Sequence, residues 1–288
     1  GAGMGWGMGW GWHGVGPHRT MARTPTAPSV RRPYVYGRLP PEPRGWVAGA
    51  KRYPDLPLGP GDLADTPEAM TMIHIHTLLI GQPQTMTDER GTWRSAICRT
   101  AVSGPVALGE RGLAGDQVAD TKNHGTPNQA VCCHPLAHYA HWNEVYGLGP
   151  AEALGPGAVG ENWTLAGATE VDVCVGDIFA VGSARVQVTA PRYPCSKQER
   201  KVRLPGFLQR TMAAMRTGWY VRVLRPGAVQ AGDALALEAR PNPGVSIQRV
   251  NENMFQEFDE HEARALLAVP ELAAGWKRII EMKLAKEL

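Results

Sequence analysis

From Met72 onward apolar and polar residues exchange places at nearly every step: Ile73, Ile75, Thr77 and Leu79 fall on one side of an extended chain, His74, His76 and Leu78 on the other. That period of two predicts a first strand, with His74 and His76 together on one face. Two histidines so placed can ligate a metal or simply face solvent, and solvent-facing polar positions are the simpler account. Further short strands are predicted over residues 96–102, 106–108, 130–133, 163–165, 169–173, 178–181, 185–190, 218–225 and 234–238, with Gly176-Asp177 and Gly182-Ser183 as turns between them. Helical spacing replaces alternation in a few places. One helix opens at Pro135, carries His138, Tyr139, His141, Trp142 and Val145 and stops at Gly147; a second covers residues 205–215. Many short strands, frequent glycine turns and occasional helices describe a mainly β fold with some α, a β-barrel.

The last 45 or so residues change character. Ser246 and Asp259 read as N-caps, and Pro270-Glu271 as the first turn of a third helix that places Leu272, Trp276, Ile279, Ile280, Leu284 and Leu288 on one side. The domains expected are therefore 1–69, 70–240 and 241–288. The first is a low-complexity extension: glycine holds every second position from Gly1 to Gly11, prolines recur as far as Pro67, and no apolar face survives, which predicts disorder. It has no clean apolar signal region. Its arginines Arg19, Arg23, Arg31 and Arg32 leave organelle targeting open, beside an upstream extension ahead of a start at Met70 or Met72.

Composition narrows the partners. The net charge of +3 sits in the extension, where residues 1–69 hold eight Lys or Arg against five Asp or Glu, while residues 70–288 hold 22 of each. A neutral folded part carries no general footprint for nucleic acid. No apolar run approaches the about 20 residues of a membrane span. Five cysteines, odd in number and irregularly spaced, speak against a disulfide framework and for a reducing, cytoplasmic compartment.

The candidate chemistry is concentrated in Thr-Ala-Pro-Arg-Tyr-Pro-Cys-Ser-Lys, Thr189 to Lys197. Pro191 and Pro194 stiffen the loop, and Arg192 and Lys197 flank Cys195 with positive charge that favours thiolate, the form that attacks electrophiles or ligates metals. The simpler account of a lone cysteine is a small buried hydrophobe. Other polar loops hold Gly112-Leu113-Ala114-Gly115-Asp116, then Asp120, Lys122 and His124-Gly125, then Asn128, then Gly160-Glu161-Asn162. Their spacing fits neither a P-loop nor a dinucleotide fingerprint. Glycines beside donors and acceptors suit close backbone approach to a ligand, and the Asn128 and Asn162 amides could hold a heterocycle's edge or cap turns.

Taken in order, Gly-Leu-x-Gly-Asp-(x7)-His-Gly, Gln-Ala-Val-Cys-x-His-Pro before a helix, Val-Gly-Glu-Asn, Val-Gly-Asp-Ile-Phe and Pro-Arg-x-Pro-Cys-x-Lys resemble the MOSC domain, the carboxy-terminal module of molybdenum cofactor sulfurases and their stand-alone relatives. The tail from Val-Ser-Ile-Gln-Arg-Val-Asn resembles the three-helix extension of the YiiM type. The resemblance covers residues from about 72 to 285. It implies a MOSC-type β-barrel plus a small C-terminal three-helix domain, with molybdenum on a pterin dithiolene (Mo-molybdopterin) and Cys195 as the metal's protein ligand. Soft thiolate suits that metal, and Arg192 and Lys197 could pair with the cofactor's phosphate. Asn128, Asn162, Gly160 and Glu161 fall in motif segments that would line the cavity. Asn128-Gln129 stands where relatives often carry Asp-Arg, and Thr126 replaces a frequent glycine.

The YiiM resemblance further implies reduction of N-hydroxylated compounds, hydroxylaminopurine bases among them, with electrons from a separate flavin-containing reductase docked on the helical tail. The chain shows no flavin, haem or iron–sulfur motif of its own. His124 and Asp116 are the candidate general acids. Nucleic acid, membrane and pyridoxal phosphate are not expected; a homodimer is compatible. The alternative on the same residues is a molybdenum cofactor carrier or sulfur-transfer module without turnover. A remoter rival is a zinc site on Cys132, Cys133, His134, His138 and His141.

Overall fold

The computed structural model describes residues 72–122 and 124–287; the readings made for residues 1–69, and for Leu288, lie outside them. Thirteen strands are present among the described residues: β1 (His74–Ile80), β2 (Gln84–Asp88), β3 (Gly91–Ser95), β4 (Thr100–Ala101), β5 (Val106–Gly109), β6 (Gly112–Leu113), β7 (Val131–Pro135), β8 (Trp163–Ala166), β9 (Ile178–Val181), β10 (Ala184–Pro191), β11 (Trp219–Arg225), β12 (Gly227–Val229) and β13 (Leu235–Ala239). The helices are α1 (Ala137–Tyr146), α2 (Ser196–Val202), α3 (Phe207–Ala213), α4 (Ile247–Phe255), α5 (Glu260–Leu267) and α6 (Ala274–Glu287).

Eight strands form one sheet in the order β13-β9-β10-β11-β7-β8-β1-β4. It curls into a half-barrel whose seam is crossed by a bridge between His74 and Ala234 and by a bond from Ile75 N to Asp233 O of 2.9 Å. Neighbours are antiparallel except β7 and β8, which run parallel with Cys133 opposite Trp163. A parallel pair needs a crossover, and α1 supplies it. Inward positions of β10 (Val186, Val188, Ala190), β11 (Trp219, Val221) and β7 (Val131, Cys133) enter one apolar core, as the period of two requires. Gly147 ends α1 in the left-handed region, φ 60°, its N–H returning to Asn143 and Glu144 carbonyls.

The C-terminal helices share that core. Ile247, Val250, Leu266, Leu272, Trp276, Ile280 and Leu284 are buried in the same cluster as the barrel's valines, so the tail's apolar stripe faces the sheet. Ser246 and Asp259 cap α4 and α5, accepting from Arg249 N and Glu262 N. The third helix starts later than expected. Pro270 and Glu271 lie in a turn and α6 begins at Ala274, because Ala273 N first bonds to Thr189 O of β10, 3.0 Å away.

Two strand expectations change, and the hairpin β2–β3 and the short strands β6 and β12 are additional. Only Thr100–Ala101 of residues 96–102 pairs as a strand. Ile97 N turns to Ser95 Oγ and Ile97 O accepts from Lys201 Nζ at 2.9 Å, a side-chain cation standing where a ladder partner would be. Residues 169–173 form a turn, with Asp172 Oδ2 accepting from both Thr169 N and Thr169 Oγ1, the local bonding by which short polar side chains compete with a sheet. The hairpin β2–β3 went unanticipated because its residues are mostly exposed and carry no apolar alternation. Within residues 205–215 the helix itself is Phe207–Ala213, and the preceding α2 is additional.

Candidate functional site

Strand β10 ends at Pro191, and the four residues that follow cross the mouth of a cavity of about 370 Å³ before α2 begins. The loop is held at several points. Thr189 Oγ1 donates to Asn128 O (2.7 Å) and Tyr220 O (3.1 Å), and Arg192 N donates to Gly218 O (2.9 Å). Gly218 has φ 74°, and a Cβ there would stand 2.2 Å from Cys133 O, so only glycine lets β11 approach β7 this closely. Cys195 is the N-cap residue of α2, and Gln198 Oε1 folds back to accept from Cys195 N at 2.9 Å. Lys201, on the same helix, reaches the carbonyls of Ile97 and Gly157 and so ties the cysteine's helix to the opposite wall.

The cavity collects Cys195, Arg192, Lys197, His124, Asp116, Asn162 and Gly160 from segments far apart in sequence. Arg192 is 6% exposed. Its Nη2 donates to Val159 O at 2.8 Å, whereas Nη1 is buried with no hydrogen-bond partner. Burial opposes its charge, yet the surrounding Cys132, Tyr220, Cys195 and Glu161 hold the guanidinium protonated beyond its usual range. Arg192 thus brings a buried positive charge to the cavity lining, with one terminal nitrogen that no group of this chain satisfies.

Burial and the cations Arg192, Lys197 and Arg99 hold the His124 imidazole below its ordinary value, against Asp120. Near neutral pH it is therefore an uncharged ring with one donor and one acceptor nitrogen. It suits relaying a proton better than the general-acid role expected of it. Asp116 is committed elsewhere. Arg99 Nε and Nη2 each donate to one of its oxygens at 2.8 Å, and Gly81 N adds a third bond at 2.8 Å, so the carboxylate is tied into the wall as the partner of Arg99. Its task is to aim Arg99, whose Nη1 also reaches Gly160 O at 2.7 Å.

Two expected binders stand outside the lining. Asn128 lies in a short 3-10 turn, Pro127–Gln129, and accepts weakly from Arg222 Nη1 at 3.4 Å; its neighbour Gln129 lines the cavity instead. Glu161 is fully buried behind the wall, accepting from Gly157 N (2.6 Å), Thr164 Oγ1 (2.7 Å) and the Tyr139 hydroxyl. Burial pushes its carboxyl up, and His134 with these three donors more than reverses that. Asn162 lines the cavity, but its amide joins strands, accepting from Cys132 N and donating to Leu79 O.

Arg99, Tyr193 and Tyr220 also line the cavity and were not singled out from sequence, and Cys132, considered only for the zinc rival, lines it too. Tyr193 lies inside the Thr189–Lys197 run and could have been. Arg99 could not, since its role depends on Asp116 and Gly160, which are distant in the chain. Tyr220 is kept protonated by burial, with Cys132 adding to the effect. The zinc rival fails on geometry: His138 is bonded to Glu170 (2.7 Å) and Arg216 (3.0 Å), and His141 packs on Trp142 with ring centroids 4.7 Å apart. Among the described residues no group of three His, Cys, Asp or Glu could hold a metal ion by itself.

A curled half-barrel carrying a cysteine loop over such a cavity, backed by three helices, defines a MOSC-domain protein; the MOSC domain model matches residues 120–236 and the YiiM-like 3-alpha helix domain model residues 245–287. The chain belongs to the YiiM-like MOSC family. It is 36% identical over 193 residues to YflK of Bacillus subtilis, covering 67% of this chain and 83% of that protein. It is 33% identical over 189 residues to YiiM of Escherichia coli, covering 66% and 84%. A protein of Gibberella moniliformis named as a reductase is 34% identical over 161 residues, 56% of this chain but only 28% of its own length. The crystal structure of YiiM from Geobacillus stearothermophilus superposes with a TM-score of 0.62 at 33% identity, covering 74% of this chain and 99% of that one. Among the described residues no helix is long and apolar enough to cross a membrane.

The residues present fit the cofactor for which MOSC domains are named. A cavity-facing thiol is a soft ligand, and the unused Arg192 N–H with the Lys197 ammonium offers charge-assisted bonds to a phosphate.

Proposed function

We propose that this protein is a molybdenum-cofactor-dependent oxidoreductase that reduces N-hydroxylated compounds, such as hydroxylaminopurine bases, with electrons from a separate flavin-containing reductase in a reducing, cytoplasmic setting. The observation that carries the reading is one cavity shared by the Cys195 thiol and a buried, half-unpaired Arg192 guanidinium. The reductase named among the relatives supports oxidoreductase chemistry in the family without specifying this reaction.

The net conversion is R–NHOH plus two electrons and two protons to R–NH2 and water. The bound cofactor supplies the two-electron exchange at the N–O bond. The chain's own residues do the rest. Cys195 would anchor the metal and Arg192 and Lys197 would hold the phosphate, while Arg99, paired with Asp116, keeps its side of the cavity rigid. His124 relays a proton from solvent, and the Tyr220 hydroxyl donates toward the departing oxygen.

The test is expression in a host that makes the cofactor, followed by molybdenum and pterin analysis of wild type and Cys195→Ser, and turnover of hydroxylaminopurine with a reconstituted flavin reductase. Molybdenum in the wild type, its loss in the variant, and turnover by the wild type are expected. A variant that keeps its molybdenum overturns the ligand assignment. Molybdenum without turnover identifies a carrier.

A further inference from the structure

The cysteine loop is gripped from a second side by the C-terminal helices, and the grip is specific. Trp276 Nε1 of α6 donates to Pro191 O at 2.8 Å, four residues before Cys195, and Ala273 N donates to Thr189 O at 3.0 Å. Tyr193, two residues before Cys195, is 40% exposed at the cavity yet has its ring centroid 5.6 Å from Phe255 and 5.9 Å from Trp276, which are 6.2 Å from one another. Two of these pairs are edge-on, a favourable arrangement for aromatic rings, and the Tyr193–Trp276 pair is tilted. Pro191 has no N–H of its own to pair, so at this residue the backbone can be held only through its carbonyl, and Trp276 holds it, adding to the Arg192 N bond to Gly218 O one residue on.

We propose that the helical unit sets the geometry of the site, with Trp276 as a positioning residue: by holding the Pro191 carbonyl and, with Phe255, seating the Tyr193 ring, it fixes where the Cys195 sulfur stands in the cavity. The proposal rests on Cys195 being the functional thiol. It gives the three-helix tail a task beyond covering the barrel, since a thiol that must meet a bulky metal group gains from being held within a fraction of an ångström.

The experiment uses the full chain without cofactor and measures Cys195 alkylation by peptide mass spectrometry, with iodoacetamide and with a bulky fluorescent maleimide. The ratio of the two rates reports how tightly the sulfur is confined. Trp276→Phe keeps a ring against Phe255 and Tyr193 but removes the N–H donor. It is expected to lower the small-to-bulky ratio about fivefold, the scale of one hydrogen bond, with a modest fall in Tm. Phe255→Leu, which spares the donor, is expected to move the ratio the same way, and it carries the test if Trp276→Phe does not fold. Leu284→Ala, on α6 but away from the loop, should lower Tm and leave the ratio alone. A ratio unchanged in Trp276→Phe and Phe255→Leu, or shifted equally by Leu284→Ala, overturns the proposal. Molybdenum content of protein from a cofactor-making host is read separately, so absence of metal would sink the proposed function while this ratio still decides the positioning role.

Discussion

Arg99 and Arg192, two of the three arginines that line the cavity, are treated in opposite ways by the chain. Each nitrogen of the Arg99 guanidinium is bonded, two of them to Asp116 and one to the Gly160 carbonyl, all at 2.7–2.8 Å. Arg192 is more deeply buried and receives less, one bond to Val159 O and a second terminal nitrogen left without a partner. On the Arg99 wall every guanidinium nitrogen thus has a partner within the chain, whereas one terminal nitrogen of Arg192 has none. Buried charges that lack partners are costly enough that one retained beside a cavity marks the side on which the bound molecule's negative charge belongs.

Removing each guanidinium separates the two walls. Arg99→Met leaves the nearly buried Asp116 carboxylate unpaired and is expected to cost about 3–5 kcal/mol of stability, read as a lowered urea midpoint in protein free of cofactor. Arg192→Met removes a cation that the apo protein under-uses. Its apo stability should change far less, while cofactor affinity falls by about 1.5–3 kcal/mol, the worth of a charged hydrogen bond, which is roughly 10- to 150-fold in retained molybdenum. Equal stability losses in the two variants would erase the distinction between the walls.

The same contrast explains what could be read from the sequence. The cysteine loop was legible because prolines, cations and thiol are packed into one short run, and the caps Ser246 and Asp259 because capping is local. Strands β1, β10 and β11 announced themselves by alternation. Arg99 was illegible, since an arginine bonded at each nitrogen and one short of a partner look alike until folding brings Asp116 and Gly160 to it. Residues 96–102 misled because buried Ala96 and Ile97 mimic strand periodicity while Ile97 O is satisfied by Lys201 instead of a neighbouring strand. Asp116 was placed in the right cavity from its motif, but its partner decided its role.

Behind the Arg192 wall lies a second unpartnered group that serves no ligand. His134 is 1% exposed with neither ring nitrogen bonded, and burial, with His138 close by, holds its value down to about 3 against 6.5 for a free imidazole. The unfolded chain takes up a proton below pH 6.5 that the folded one refuses. The contribution is therefore present above pH 6.5 and is lost as pH falls toward 3, with a slope of about 1.4 kcal/mol per unit. His134→Leu should flatten that part of the acid limb, seen as urea midpoints at pH 7, 5 and 4 that fall less than those of wild type. An unaltered slope would show that the histidine finds a partner, such as a water molecule between it and the unpaired Glu161 Oε2.

The smallest effect is expected at Asn128, and it tests where the cavity's edge lies. Its side-chain oxygen accepts only a long bond, 3.4 Å, from Arg222 Nη1, and that arginine spends its better donors on Gln187. Its backbone carbonyl, which anchors Thr189 Oγ1 at 2.7 Å, survives truncation. Asn128→Ala should therefore cost at most about 1 kcal/mol of stability and leave molybdenum content unchanged. Gln129→Ala, one residue on and facing the cavity, should lower that content without a larger loss of stability. If Asn128→Ala instead depleted the metal and Gln129→Ala did not, the loop would have to turn its Asn128 face inward when loaded, and the boundary of the cavity would move to include it.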